Sequence, residues 1–558
     1  MTIRLTRSAI STSAVPALIA LSALLAVLVT IDPAENYPRS LEGPGLTVDE
    51  SFNVEQGVRL VAALDAFRMG ILDLRDVFGD RNELGPNPRA GSYYLPDHPP
   101  LGRLAIGLCH NLVRSMVPPA GDDDRIPYVT ACARTASAVA FAALVFLIGV
   151  VATTWYGRVG GAAAAMSVVL MPRLFGHAHL ASLESVTNLT YAATVLSVAI
   201  AWTSPSRSAG PTFKAAAWTG VIFGLALLTK IQAVLLPIPL VVWAVWRWRH
   251  KAILPVMVWG LVGLAVFFAG WPWLWLDPID HLQEYFGRTM QRQTLYVWYA
   301  GRQFADRSVP WHYPFVLFLV TVPVGLHLLG LYGLSSGDRR SWREPREQLL
   351  LGCLVFPLIV FSLPGVTVYD GARLFLVVFP LWAMIVGRGS AALFDRLQKR
   401  CRPLPAAAML GLFIAVQGVG LFVMSPCALS GYNLFVGGLR GAVRLGFEPT
   451  YWGDSLTRSL LEQTARIVPR DGMVEVAPVL HPFQLSDLMM QSATLRRRGI
   501  RLRPYSDQNR QSRRFVLLFR RTAYLPDSLR HVPPNARLRA EVRRNGVQLA
   551  ALYELNHQ

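Results

Sequence analysis

The sequence predicts an α-helical polytopic membrane protein with a small extracytoplasmic α/β domain after its last span. Three observations predict this. Hydrophobic residues make up 53% of the 558 residues and charged residues 16%, with a mean hydropathy of +0.36, whereas a soluble surface needs roughly 25% charged residues. The apolar residues come in long blocks of roughly the 20 residues that cross a hydrocarbon core. Between the blocks, Lys and Arg gather in alternate short connections, the signature of loops retained inside. A disordered chain and a string of soluble domains are both excluded.

Taken in order, Arg4 and Arg7 precede the apolar run 15–31. The run is long for a signal peptide and no small-x-small cleavage site follows, so it is expected to stay as the first span. About eleven spans follow from length and hydropathy. They fall near 14–31, 133–155, 158–174, 185–203, 215–229, 231–246, 253–272, 313–334, 349–364, 374–388 and 405–426. With the N-terminus inside, the inner loops carry Arg158, Arg207 and Lys214, then Arg247, Arg249 and Lys251, then Arg339, Arg340, Arg343 and Arg346, and last Arg388, Arg396, Lys399, Arg400 and Arg402. The longer segments 32–132 and 273–312 then fall outside, as does 427–558. The expected division is a membrane domain over 1–426 and an extracytoplasmic domain over 427–558. Within 32–132, Val54, Val58, Val61 and Leu64 recur at helical spacing, and Leu101, Leu104, Ile106 and Leu108 more loosely, which predicts short helices on the membrane surface. The alternating runs 473–476 and 515–519 predict strands of the last domain.

The formal net charge of +19 is explained by the inner loops, so no nucleic-acid partner is expected. Five Cys without a CxxC pair predict neither a disulfide framework nor a structural zinc site.

Several polar residues stand where an apolar chain must justify them. Thr47-Val48-Asp49-Glu50 is a capping box in form, and it also puts two carboxylates beside the outer membrane surface. Tyr94-Leu95-Pro96-Asp97-His98-Pro99-Pro100-Leu101-Gly102-Arg103 is a rigid turn into a helix, and His98 and Arg103 flank it within reach of a lipid phosphate. His177, His179 and Glu184 lie within eight residues of one another, a spacing that could also hold a divalent metal. Glu184 begins a span and Lys230 separates two apolar runs, positions where a charge is costly unless paired or functional. Asp370 and Arg373 open a span on the outer side. Arg presents a planar fork to phosphate oxygens, and an Asp370–Arg373 pair is the alternative. The chain has no P-loop, GxGxxG, HExxH or GxSxG.

The order of these features resembles the GT-C superfamily, within the group of protein O-mannosyltransferases and lipid A aminoarabinose transferases. An Asp-Glu pair follows the first span, a His-Pro-Pro-Leu turn lies in the first outer loop, an acid begins the fourth span, and an Arg opens a late span. Gly437-Gly438-Leu439-Arg440-Gly441 through Phe447-Glu448-Pro449-Thr450-Tyr451-Trp452-Gly453-Asp454 is similar to bacterial members. The resemblance implies a polyprenyl-phosphate-sugar donor and transfer on the outer face, with Asp49 as base. Glu184 stands where the family usually has Asp. His98 stands where the aminoarabinose transferases have Lys.

The expectation is therefore an inverting glycosyltransferase of a bacterial inner membrane, its active site and C-terminal domain facing outward. Asp49, Glu50 and Glu184 are the catalytic candidates, and Lys230, Arg373, His98 and Arg103 the candidates for the donor phosphate. The partners are a polyprenyl-phosphate sugar, membrane lipid and an unidentified hydroxyl acceptor. The alternatives are a ligase or polymerase of lipid-linked oligosaccharides, and a transporter or flippase. Transporters tend to carry repeated halves and broken helices near the midplane, and neither is legible in the sequence.

Overall fold

The computed structural model describes residues 7–79, 94–120, 126–203, 210–290, 293–336, 344–479, 481–506, 514–530 and 536–555. Arg4, Arg207, Arg339, Arg340 and Arg343 lie outside them. Apolar helices dominate. Among the described residues, four are long and apolar enough to cross a membrane, or five if the bent pair Tyr313–Thr321 and Val324–Ser335 is one span; Ser13–Leu28 and Phe213–Leu227 are shorter apolar helices. Their outward faces are unpartnered and greasy: Leu261 is 63% exposed, Leu412 68% and Trp246 71%. Such a belt suits lipid, not water. The protein is an integral membrane protein.

Helical residues occupy each expected span; 231–246 opens with the 3-10 turn Ile231–Leu235, 405–426 is divided into Pro403–Val416 and Val419–Met424, and two further differences stand out. The spans expected at 133–155 and 158–174 belong to one helix, Thr130–Leu170, broken at Gly157, where φ is +79°. The span expected at 313–334 is two helices meeting at 110°. Pro323 has no N–H to continue the helical ladder and pushes Val322 into extended backbone, φ −88° and ψ 135°.

Two helices, Val48–Arg68 and the amphipathic Pro100–Met116, occupy the expected outer segment. They pack closely because each presents glycine at the crossing. A Cβ on Gly107 would stand 2.1 Å from the Gly57 carbonyl oxygen, and one on Gly57 2.5 Å from that of Arg103.

Two sheets follow. The strands β1 (Tyr296–Tyr299) and β2 (Arg302–Ala305) form a hairpin. The other five strands, β3 (Met473–Ala477), β4 (Arg501–Pro504), β5 (Phe515–Phe519), β6 (Ala536–Arg544) and β7 (Val547–Leu555), form one sheet in the order β4-β3-β5-β7-β6. β3 runs parallel to β4 and β5, and β7 is antiparallel to β5 and β6. The helices Arg458–Ile467, Pro482–Gln491 and Ala493–Arg497 pack with this sheet around Leu460, Leu485, Leu495 and Leu517.

Candidate active site

The helix Val48–Arg68 starts at Thr47 and carries both acids in its first turn. Neighbouring helical positions point about 100° apart, so the two carboxylates serve different surroundings. Glu50 is fully buried. Its Oε1 accepts from Arg134 Nε at 2.7 Å and the Ala181 N–H at 2.8 Å; its Oε2 accepts from Arg134 Nη2 at 2.8 Å and from the N–H and hydroxyl of Thr47, both at 3.0 Å. Every lone pair is used, and Glu50 does not line the cavity described below. It is an anchor tying the helix to Thr130–Leu170. Asp49, with a side chain 23% exposed, pairs instead with Arg373.

Arg373 is aimed by the turn before it. Asp370 and Gly371 both have positive φ, +54° and +66°. Asp tolerates this left-handed region better than most residues. At Gly371 a Cβ would also meet the Tyr451 ring at 3.3 Å. The turn delivers the Arg373 guanidinium among three acids: Asp49, Glu184 (Nε to Oε1, 2.7 Å) and Asp370 (Nη1 to Oδ2, 3.2 Å). The Trp452 ring, 4.4 Å from its Cζ, covers one face. Asp370 is held in turn by Trp452 Nε1 at 2.9 Å and Arg521 Nη2 at 2.8 Å.

Lys230 interrupts the chain between Phe213–Leu227 and the short 3-10 turn Ile231–Leu235, and its Nζ reaches Glu184 Oε1 at 2.5 Å. The Leu228 carbonyl accepts from the Leu101 N–H at 3.0 Å, which ties the His-Pro-Pro turn to the Lys230 segment. Glu184 thus bridges two cations, and its Oε2 faces His177 Nδ1 at 3.9 Å. Burial lowers the pKa of His177 to about 3, outweighing the pull of Glu184, so the ring is neutral. His179 is directed elsewhere, Nε2 to the Thr30 hydroxyl and Nδ1 to the Phe175 carbonyl, both at 2.8 Å. His177, His179 and Glu184 therefore do not converge as metal ligands. Among the described residues no three His, Cys, Asp or Glu side chains gather closely enough to hold a metal ion.

Asp49, His98, Arg103 and Arg373 do converge. They line one cavity of about 200 Å³ together with Phe52, Asn53, Asp97, Leu295, Tyr369, Asp370, His481 and Arg521. Arg103 is already engaged, donating Nη1 to Asp97 Oδ1 (2.5 Å), Nη2 to Asp97 Oδ2 (3.0 Å) and Nε to Asn53 (3.2 Å). Burial lowers the pKa of His98 to about 3 against the pull of Asp97, so it offers a ligand a neutral ring. Burial raises the pKa of Asp49, and Arg373 opposes that shift. Asp49, Glu184 and Asp370 balance Lys230, Arg373 and Arg521, so the cluster is neutral as it stands.

Sequence reasoning missed Asp97, Arg521 and His481. Asp97 sat inside a quoted turn and could have been found as the partner Arg103 needs. Arg521 and His481 come from the last domain, one Arg among many and one isolated His, with no spacing to mark them.

No family model matches the chain, and no curated protein matches it. Solved structures do. The chain is similar to ArnT from Cupriavidus metallidurans, known in the apo state and bound to undecaprenyl phosphate. Identity is 14% over 96% of this chain and 97% of that one, with a TM-score of 0.49 in both states. It is also similar to the S. cerevisiae protein O-mannosyltransferase Pmt1-Pmt2 complex bound to the sugar donor, at 14% identity over 54% of this chain and 39% of that one, with a TM-score of 0.31. A third likeness is the Archaeoglobus fulgidus oligosaccharyltransferase in the apo form, at 11% identity, 74% and 56% coverage and a TM-score of 0.42.

Proposed function

We propose that the protein is an inverting glycosyltransferase that moves a sugar from a polyprenyl-phosphate donor to a hydroxyl acceptor at the outer face of a bacterial inner membrane. The observation that carries this reading is the cavity in which the partly exposed carboxylate of Asp49 opposes Arg373, with Lys230 behind it on Glu184. The reading includes about eleven crossings with the N-terminus inside. It also includes the division into a membrane domain over 1–426 and an outward-facing domain over 427–558.

The chemistry follows from the charges. A polyprenyl phosphate leaves as a stable anion, so no acid need protonate it, unlike the two-carboxylate hydrolysis of a glycoside. Asp49 takes the acceptor's hydroxyl proton as that oxygen attacks the anomeric carbon. The bond from that carbon to the phosphate oxygen breaks on the opposite side, and the phosphate leaves with the electron pair. Arg373 and Lys230 stabilise the charge that develops on it. Glu184 holds both cations in place, Glu50 fixes the helix that carries Asp49, and His98 and Arg103 form the wall beside the phosphate. The donor phosphate must displace Asp49 from Arg373, which frees the base as the substrate arrives.

The test is donor consumption. The purified protein in lipid is offered a panel of polyprenyl-phosphate sugars with a membrane and periplasmic extract, and released polyprenyl phosphate is followed for wild type and Asp49→Asn. Release from one donor, lost in the variant, is expected. Release undiminished in Asp49→Asn would move the base elsewhere.

A further inference from the structure

The C-terminal sheet carries a second cleft that the transfer chemistry does not use. It is small, about 150 Å³, and is lined by Val476, Ala477, Pro478 and Val479, by Pro504 and Tyr505, and by Tyr524 and Pro526. These are the residues at and just beyond the carboxyl ends of β3, β4 and β5. The chain leaving β3 turns toward β4, while the chain leaving β5 turns the other way, toward β6 at the far edge. Divergent exits from adjacent parallel strands leave a crevice between them, and in open α/β sheets that crevice is where ligands bind.

The lining defines the ligand. It holds no charged side chain, so it offers a phosphate or a carboxylate no counter-charge. It presents two tyrosines and three prolines, flat apolar surfaces whose polar partners are phenol hydroxyls and nearby backbone groups. An uncharged sugar ring has matching chemistry, an apolar face of C–H groups rimmed by hydroxyls. Tyr524 is held in place: its hydroxyl accepts from the Tyr296 N–H of β1 at 2.9 Å, and the Arg521 guanidinium stands 4.5 Å from its ring centre. Tyr505 is steadied by a hydroxyl contact with Ser528 at 3.1 Å.

The cleft is also next to the catalytic cavity. The segment leaving β3 gives Pro478 and Val479 to the cleft and His481 to the cavity. Arg521, which covers Tyr524, is itself a cavity residue through Asp370. The cleft and the cavity therefore share the segment after β3 and border the Arg521 side chain from two sides.

We infer that this switch-point cleft is the acceptor subsite and that it takes an uncharged sugar residue of a glycan acceptor. This rests on the glycosyltransferase reading for its purpose, but not for its test. The full-length protein in lipid nanodiscs, without donor, is titrated with uncharged methyl glycosides of common hexoses and pentoses and with short peptides rich in Pro and Tyr. Saturable binding of at least one glycoside is expected, weakened about tenfold in Tyr505→Ala and largely kept in Tyr505→Phe, which retains the ring. Thermal unfolding of the two variants separates a lost subsite from a lost fold. No glycoside binding, binding indifferent to Tyr505→Ala, or binding of the peptides alone would overturn the assignment. Because no donor is present, a failure of the transferase reading leaves this result standing. A failure here likewise leaves donor turnover untouched.

Discussion

Asp49 and Arg373 hold each other in the ligand-free site, and that pairing makes two predictions. Removing the base should slow transfer by roughly 10²–10⁴-fold. Yet Asp49→Asn should bind undecaprenyl phosphate more tightly than wild type, because Arg373 no longer has to be taken from a carboxylate. A binding titration in nanodiscs measures this, and weaker binding in the variant would show that Asp49 does not compete for the cation. The second prediction concerns pH. Burial raises the Asp49 pKa, so the base gains its proton at a higher pH than an exposed Asp does. The acid limb of kcat/KM should therefore lie above the ordinary Asp range, and it should vanish from the residual rate of Asp49→Asn. These residues were legible because a charge in an apolar chain is conspicuous and their order along the chain resembles a known group. What was not legible is that adjacent acids part company. Only the position of Arg134, 84 residues beyond Glu50, makes Glu50 an anchor.

Among the elements, the Gly57–Gly107 crossing fixes how deeply the Asp49 helix sits. Gly107→Ala places a Cβ against backbone that cannot give way, so the helices must separate. Overpacking of this kind costs about 1–3 kcal/mol. A drop in thermal stability together with reduced turnover is expected, and normal turnover in the variant would separate the crossing from catalysis. The helices themselves were legible from hydropathy and amphipathic spacing. The 110° break at Val322–Pro323 was not, because a single proline inside a long apolar run does not interrupt the hydropathy that marks a span. The paired positive φ at Asp370 and Gly371 was equally silent: Asp-Gly is a common turn, and only packing against Tyr451 and Trp452 shows why this one is needed.

For the molecule as a whole, the five-stranded sheet and its helices are clasped to the first helices of the chain. Asp487 accepts from Ser51 at 2.7 Å and from Tyr128 at 3.0 Å, joining the helix Pro482–Gln491 to the segment that holds both residues. Burial raises its pKa from 3.8 to about 6. A raised carboxyl pKa means that the folded state holds the proton more firmly than the unfolded chain. Its contribution is therefore full at acid pH, falls as pH rises from the ordinary value through about 6, and is gone above it. Over that interval the clasp should lose about 3 kcal/mol, and Asp487→Asn should flatten the dependence in a pH series of thermal unfolding. Two of the five strands, β3 and β5, fall on the runs 473–476 and 515–519 read from the sequence, though β5 is buried throughout and β3 at every residue after Met473 rather than on alternate residues. The partnership of this sheet with the cavity was not legible, since Arg521 meets Asp370 across 151 residues and no local pattern encodes so distant a contact. That distance also sets a timetable. A chain is made and folded from its N-terminus, so Asp49, Glu184 and Arg373 are all in place before Arg521 and His481 exist. The part of the cavity wall made by His481 and Arg521 arrives long after the residues it faces. On the proposed reading, a product that stops short of His481 would keep Asp49, Arg373 and Lys230 but lack one wall of the cavity. The proposed activity is thus reserved for molecules whose synthesis has passed Arg521.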